Sequence, residues 1–394
     1  MTETMCTQSG GIRRAATLAE DPEEAAAELF AALDQPDLAM VLVFVSPRYV
    51  LPAVAAALQR HFHDVLLVGC TSAGEIAPCG YMTGGISGLS LAGPDFVVAC
   101  ELIEALQDFN LQSGQEVVGH LLDRLMRAGS QPAGDAGREQ MFAFTLIDGL
   151  SGAEEAVVSA LHGALDDIPL FGGSAGDDLR FNRTFILHGG EFRSDCGLLV
   201  LVSTTRPFRV FKTEHFEATD RKMVVTEADP VRRVVSEIDG EPAAVEYARR
   251  VGLTDKDLTP LIFANHPVVV RVGGASFVRS IQKVNDDGSL TFFCAIDEGI
   301  VLTVARGVDL AENLRAQFAQ IEADIGRPAL IIGFDCILRA LELDEKNIRE
   351  EVGRLMAGHN VTGFSTYGEQ FHAMHVNQTF TGVAIGHGGG EADD

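Results

Sequence analysis

The chain has 394 residues, 46% of them hydrophobic and 22% charged, with a formal net charge of −26. That length holds two domains with a sizeable core, while the charge repels a phosphate backbone and an anionic bilayer, so neither nucleic acid nor membrane is an expected partner. The seven cysteines are scattered with no C-x-x-C spacing, which argues against a disulfide framework or a structural zinc site and suits a reducing cytoplasm.

The opening MTETMCTQSG has neither the basic nor the apolar stretch of a signal peptide. Asp21-Pro22 predicts the start of an Ala-rich helix, and Ser46-Pro47 the start of a second. The spacings Ser113-x-x-Glu116, Ser151-x-x-Glu154 and Asp309-x-x-Glu312 read as capping boxes, and Gly326 with Pro328 ends the last of these helices. Short apolar runs at 40–45, 65–68, 141–147, 198–203, 261–264, 330–334 and 379–385 read as buried strands, all far too short to span a bilayer. Gly189-Gly190 and Asp287-Gly288 sit between strand-like runs and predict hairpins. Residues 129–140 read as a flexible polar loop and 387–394 as a disordered tail. The fold class is therefore α/β: two α/β domains with mixed sheets, flanking helices and an approximate internal repeat. Punctuation at Asp229-Pro230 and from Asp239 to Pro242 puts the boundary near 235, giving a lead-in at 1–37 and domains at 38–235 and 236–386.

Three glycine-bracketed turns carry the functional signal: GCTSAGE (69–75), GGSAGD (172–177) and GFSTYGE (363–369). Each follows a short apolar run, holds small hydroxyl residues and closes with a glycine and a carboxylate. Glycine there admits close approach, so the three turns are expected to face one pocket. They lack the Lys or Arg of a phosphate cradle. Each carries a carboxylate instead, and two like charges about 5 Å apart repel by roughly 3 kcal/mol at an effective dielectric near 20. A neutral or zwitterionic ligand therefore fits better than phosphate or a dinucleotide. The third turn runs into a dense polar stretch containing His372, His375, Asn377 and Gln378.

Nucleophile elbows and H-E-x-x-H are absent, and the expectation is that the chain is not an enzyme. Cys336, at the end of an apolar run, is the nucleophile weighed as an alternative. His215, His266 and His375 lie in or beside apolar stretches and are the candidate axial ligands for a haem b.

The segments GCTSAGEI, FGGSAGDDLRFNRTFI, GFDCILRALEL and GFSTYGEQFHAMHVNQTFTGVAIG, in that order, resemble the FIST proteins, which have an N-terminal and a C-terminal FIST domain. The resemblance implies an intracellular sensor that binds a small ligand and signals to a partner. Amino acids are one ligand class proposed for the family, and a stand-alone branch resembles haem-containing nitric-oxide sensors. That branch controls histidine kinases or cyclic-di-GMP enzymes. With no output domain evident, the chain is expected to act in trans, as a cytoplasmic protein and a possible homodimer. The motif positions carried over as ligand-binding are Gly69, Ser72, Gly74, Glu75, Gly172, Gly173, Gly176, Asp177, Asp335, Tyr367, Gly368, Glu369, Asn377 and Gln378. Two alternatives stand beside haem-based nitric-oxide sensing: a metabolite sensor without haem, and an enzyme using Cys336.

Overall fold

Short apolar runs, each closed by a glycine turn or a helix cap, form the inner strands of this molecule. The structure is a computed structural model that describes residues 5–128, 140–272 and 275–388. Among these residues the strands form four sheets.

Three of the sheets share one plan. Each repeat has a leading strand, a helix, a second strand, one or two further helices and a third strand parallel to the second. The parallel pairs are Leu38–Val45 with Leu67–Thr71, Met141–Ile147 with Leu170–Ser174, and Leu330–Cys336 with Val361–Thr366. A hairpin and a long antiparallel strand then follow. These antiparallel strands are Ile86–Ala92, Cys196–Thr204 and Thr379–Ile385, each beside the first strand of its own parallel pair. On their other side lie the leading strands, Ile12–Thr17, Phe96–Glu104 and Phe208–Glu214. The internal repeat is thus threefold.

The hairpins are exchanged in a cycle. The first repeat's Glu75–Ala77 pairs with Val361–Thr366 of the third. The second repeat's Ile186–His188 pairs with Leu67–Thr71 of the first. The third repeat's Glu369–Phe371 pairs with Leu170–Ser174 of the second. Every one of these sheets is completed by another repeat, and one core gathers side chains from all three. Its centre is a phenylalanine cluster in which Phe334 lies 5.9 Å from Phe44, 5.4 Å from Phe171 and 5.2 Å from Phe364, ring centre to ring centre. Offset and edge-on ring pairs add to the gain from burying the rings.

The fourth sheet lies within an inserted unit, residues 216–307, that interrupts the third repeat between Phe208–Glu214 and the helix Leu310–Ile325. The chain crosses into it at His215 and out at Val308, whose amide donates to the His215 carbonyl at 2.8 Å. The expected boundary near 235 falls inside this unit, and the pairing of 75–77 with 361–366 and of 369–371 with 170–174 spans it.

Local signals are decisive where a side chain does the capping. Asp21 accepts from the amides of Glu23 and Glu24 and opens Pro22–Leu33. Asp309 accepts from the Glu312 amide and opens Leu310–Ile325, which ends at Gly326. Both predicted hairpins are present. Elsewhere the helix starts differ. The second helix is Leu51–His61, not a helix from Ser46, whose hydroxyl instead accepts from the Arg48 amide. Asn110 caps Leu111–Arg127, leaving Ser113 and Glu116 inside it, and Ser151 precedes a helix that begins only at Glu154. The run 261–264 belongs to the helix Pro260–Asn265, not to a strand, because Thr259 accepts from the Ile262 amide and Pro260 occupies the first turn. The expected strand at 65–68 runs instead from Leu67 to Thr71, into the first glycine motif. Residues 129–139 and 389–394, which hold most of the expected loop and tail, lie outside the described residues.

Candidate ligand-binding site

The three turns meet. The Ala73 amide donates to the Ser365 carbonyl at 3.0 Å and the Ser365 amide to Gly74 at 2.7 Å, joining the first turn to the third. Tyr367 donates to Ser174 and Ser174 to Gly368, joining the third to the second. The Gly176 amide donates to Thr71 at 3.0 Å and closes the ring. The glycines serve this packing. A Cβ on Gly69 would lie 2.0 Å from the Val43 carbonyl oxygen, and one on Gly172 would lie 2.1 Å from the Thr145 hydroxyl. Gly173 faces the Phe334 and Phe364 rings, Gly176 faces Ala73, and Gly368 faces His375.

The motif carboxylates are engaged within the ring. Ser72 donates to Glu75 at 2.5 Å. In the same i, i+3 frame Thr366 donates to Glu369, which also accepts from the Thr379 hydroxyl at 2.8 Å. Burial pushes both carboxyls up to about 8, against the hydrogen bonds that favour their charged forms. In the second turn Ser174 accepts from the Gln370 amide instead. Asp177 there accepts from the amides of Phe181, Asn182 and Arg183 and from the Tyr367 hydroxyl. The ring thus brings the expected motif residues of all three turns together, with Ser72, Glu75 and Glu369 wholly buried.

A pocket of about 510 Å³ opens beside the ring. Leu179 and Phe181 come from the loop after the second turn. Thr259, Pro260, Leu261, Gln282 and Phe293 come from the inserted unit, and Leu338, Leu341, Asp344 and Glu345 from the helix Ile337–Glu345. Tyr367 lies behind the pocket wall: its ring stacks on Phe181 at 4.7 Å, and it shares a buried cluster with Phe293 and Leu338. None of the motif residues lines it directly. The volume falls in the range that holds small organic ligands.

The FIST N domain profile matches residues 39–241, and the FIST C domain profile matches 243–372. The chain belongs to the FIST family. It is 23% identical over 387 residues to an uncharacterized protein of Methanocaldococcus jannaschii, an alignment covering 88% of this chain and 73% of that one. FIST domains are signal-transduction sensor domains that bind small ligands. The junction between the two FIST profiles falls inside the inserted unit, so both FIST domains contribute to that unit and to the pocket.

The segment just beyond the FIST C match fastens the inserted unit to the core. The Gln378 amide donates to the carbonyls of Phe263 and Ala264 at 3.4 and 3.3 Å, and Asn377 accepts from the Ser280 amide at 3.5 Å. From the inserted unit, Arg233 donates to Glu154 and Glu155 at 2.7 and 2.5 Å. Asp335 belongs to a second buried network. It accepts from Tyr81 at 2.5 Å and from Arg339 at 2.6 Å. Arg339 also donates to His215 Nδ1 at 2.9 Å, so the His215 Nε2–H donates to Glu342 at 2.6 Å.

The histidines and the pocket do not fit a haem. His215 is fully buried with both ring nitrogens engaged. His375 is buried against Gly368, with Nδ1 on Gln370. His266, half-buried at the end of Pro260–Asn265, does not line the pocket, and neither do the other two. The lining holds two carboxylates and no base to meet a haem's propionates. As for Cys336, burial pushes its thiol well above the ordinary range although it caps a helix, so it holds its proton at neutral pH.

Sequence reasoning missed Phe181, Phe293, Leu338 and Leu341, which are ordinary core-type residues taken singly. One signal was available. Thr259-Pro260 is a helix start, and reading it so breaks up the supposed strand at 261–264 that hid this wall of the pocket.

Proposed function

We propose that this FIST protein is a sensor whose small-molecule effector occupies the pocket between the inserted unit and the three-repeat core. Occupancy alters how the inserted unit sits, and a partner signalling protein reads the change. One observation carries this. The helix Ile337–Glu345 presents Leu338 and Leu341 to the pocket, while its Arg339 and Glu342 hold His215, where the chain enters the inserted unit. A ligand that displaces this helix acts directly on the crossing point. The apolar walls favour a ligand with an apolar body. An amino acid finds acids there for its ammonium but no base for its carboxylate. Haem-based nitric-oxide sensing draws no support from the histidines.

The test is a thermal-shift screen of small molecules, followed by hydrogen exchange on each hit. A ligand that binds only the folded state raises the melting temperature. Hits are expected to be lost in Leu341→Trp, which fills the pocket, and to change protection across residues 216–307. Hits that survive Leu341→Trp overturn the pocket. Haem titration is a separate arm: a stoichiometric Soret band lost in His266→Ala restores the haem reading. Histidine kinases are the first partners to test, by pull-down with and without a hit.

A further inference from the structure

Resting on that pocket as the ligand site, we propose that it selects an organic cation, an amine or quaternary ammonium with an apolar body, whose head lies among Phe181, Phe293 and the Glu345 carboxylate.

The polar groups of the lining point one way. Eleven residues line the pocket, among them a hydroxyl, an amide and two carboxylates, with no Lys, Arg or His. An anion entering it leaves water for a site with no cationic donor, and charge desolvated without a partner is strongly disfavoured. Bases near this helix end are already committed: Arg349 pairs with Asp344, and Lys346 with Glu342 at 2.6 Å. Glu345 differs from Asp344. It accepts from the Asn265 amide at 2.6 Å and, among the described residues, has no ion pair, so its negative charge at the pocket is not neutralised.

Two aromatic rings supply the other half of the site. Phe181 and Phe293 both line the pocket, with ring centres 5.9 Å apart and planes tilted by 50°. Aromatic faces attract a cation, most strongly where water is excluded. They also accept the methyl groups of a quaternary ammonium, which needs no hydrogen-bond acceptor. The aliphatic wall of Leu179, Leu261, Leu338 and Leu341 takes the apolar body. At long range the net charge of −26 concentrates cations around the protein and raises their rate of arrival.

Three probes of nearly equal shape separate charge from fit: benzyltrimethylammonium, its uncharged carbon isostere neopentylbenzene, and the anion phenylacetate. Titrations followed by ligand-observed NMR on the full chain are expected to show the cation binding at least about tenfold more tightly than the isostere, the size of one cation–π or ion-pair contact in a partly dry site. Glu345→Gln keeps the oxygen that meets Asn265, and Phe181→Leu keeps an apolar wall. Each is expected to weaken the cation severalfold and leave the isostere unchanged. An isostere that binds as well as the cation, or a preference for phenylacetate, overturns the cation assignment and leaves the pocket standing. If neither ion binds at millimolar concentration and the isostere does not bind up to its solubility limit, the pocket reading fails with it.

Discussion

Glu75 and Glu369 occupy the same place in two turns of the ring, and each is held by a hydroxyl three residues earlier. Their carboxyls rise from the ordinary 4.5 to about 8 because burial outweighs those bonds. The consequence for stability has a definite sign. Below pH 4.5 both the folded and the unfolded chain hold these protons. Between 4.5 and about 8 the unfolded chain releases protons that the folded chain keeps, so stability falls as pH rises, and above 8 this contribution levels off. The melting temperature is therefore expected to decline across that window, and to decline less in the double variant Glu75→Gln, Glu369→Gln. Equal slopes for the two proteins in parallel scans refute the assignment. That these acids belong to the turns was legible in the sequence. That they face inward was not, because a carboxylate after a glycine reads the same whether water or a neighbouring turn lies beyond it.

The helix Ile337–Glu345 is the element that joins the pocket to the crossing point of the inserted unit. It presents Leu338 and Leu341 to the pocket, with Asp344 and Glu345 at its end, and its other face carries Arg339 and Glu342, both buried. His215→Ala removes the group between them and leaves two buried charges without a shared partner. Arg339 keeps Asp335 and Glu342 keeps Lys346, so the loss is that of a buried hydrogen-bond partner, about 1–3 kcal/mol. We expect a loss of that order in urea unfolding, together with faster hydrogen exchange in 216–307 than in the strands of the core. Unchanged exchange in the inserted unit argues that His215 does not hold it. This coupling could not be read locally. GFDCILRALEL shows an amphipathic helix after a strand, but His215 lies more than a hundred residues away.

The molecule closes on itself through the cycle of exchanged hairpins. No repeat holds all the strands of its own sheet, and the phenylalanine core needs all three. Cutting the chain at the expected boundary, into 1–235 and 236–394, takes from the second repeat its borrowed hairpin strand Glu369–Phe371, and from the third both its leading strand Phe208–Glu214 and its borrowed Glu75–Ala77. Neither fragment is expected to unfold cooperatively alone, as followed by circular dichroism, whereas the two mixed should recover a single transition. Independent cooperative unfolding of either half would falsify the interlocked arrangement.

Hydrophobic periodicity, capping side chains and glycine turns act over a few residues, and so the sequence alone settled the α/β class, most of the core strands it marked, both hairpins and the grouping of three equivalent turns. It also carried enough shared pattern to mark the FIST family. The threefold closure, the inserted unit at 216–307 and the pocket beside Phe181 and Phe293 depend on contacts between segments a hundred or more residues apart. A leucine or phenylalanine carries the same local signal whether it fills a core or lines a cavity. Only the folded chain, by placing the inserted unit against the helix Ile337–Glu345, decides which of them it leaves uncovered.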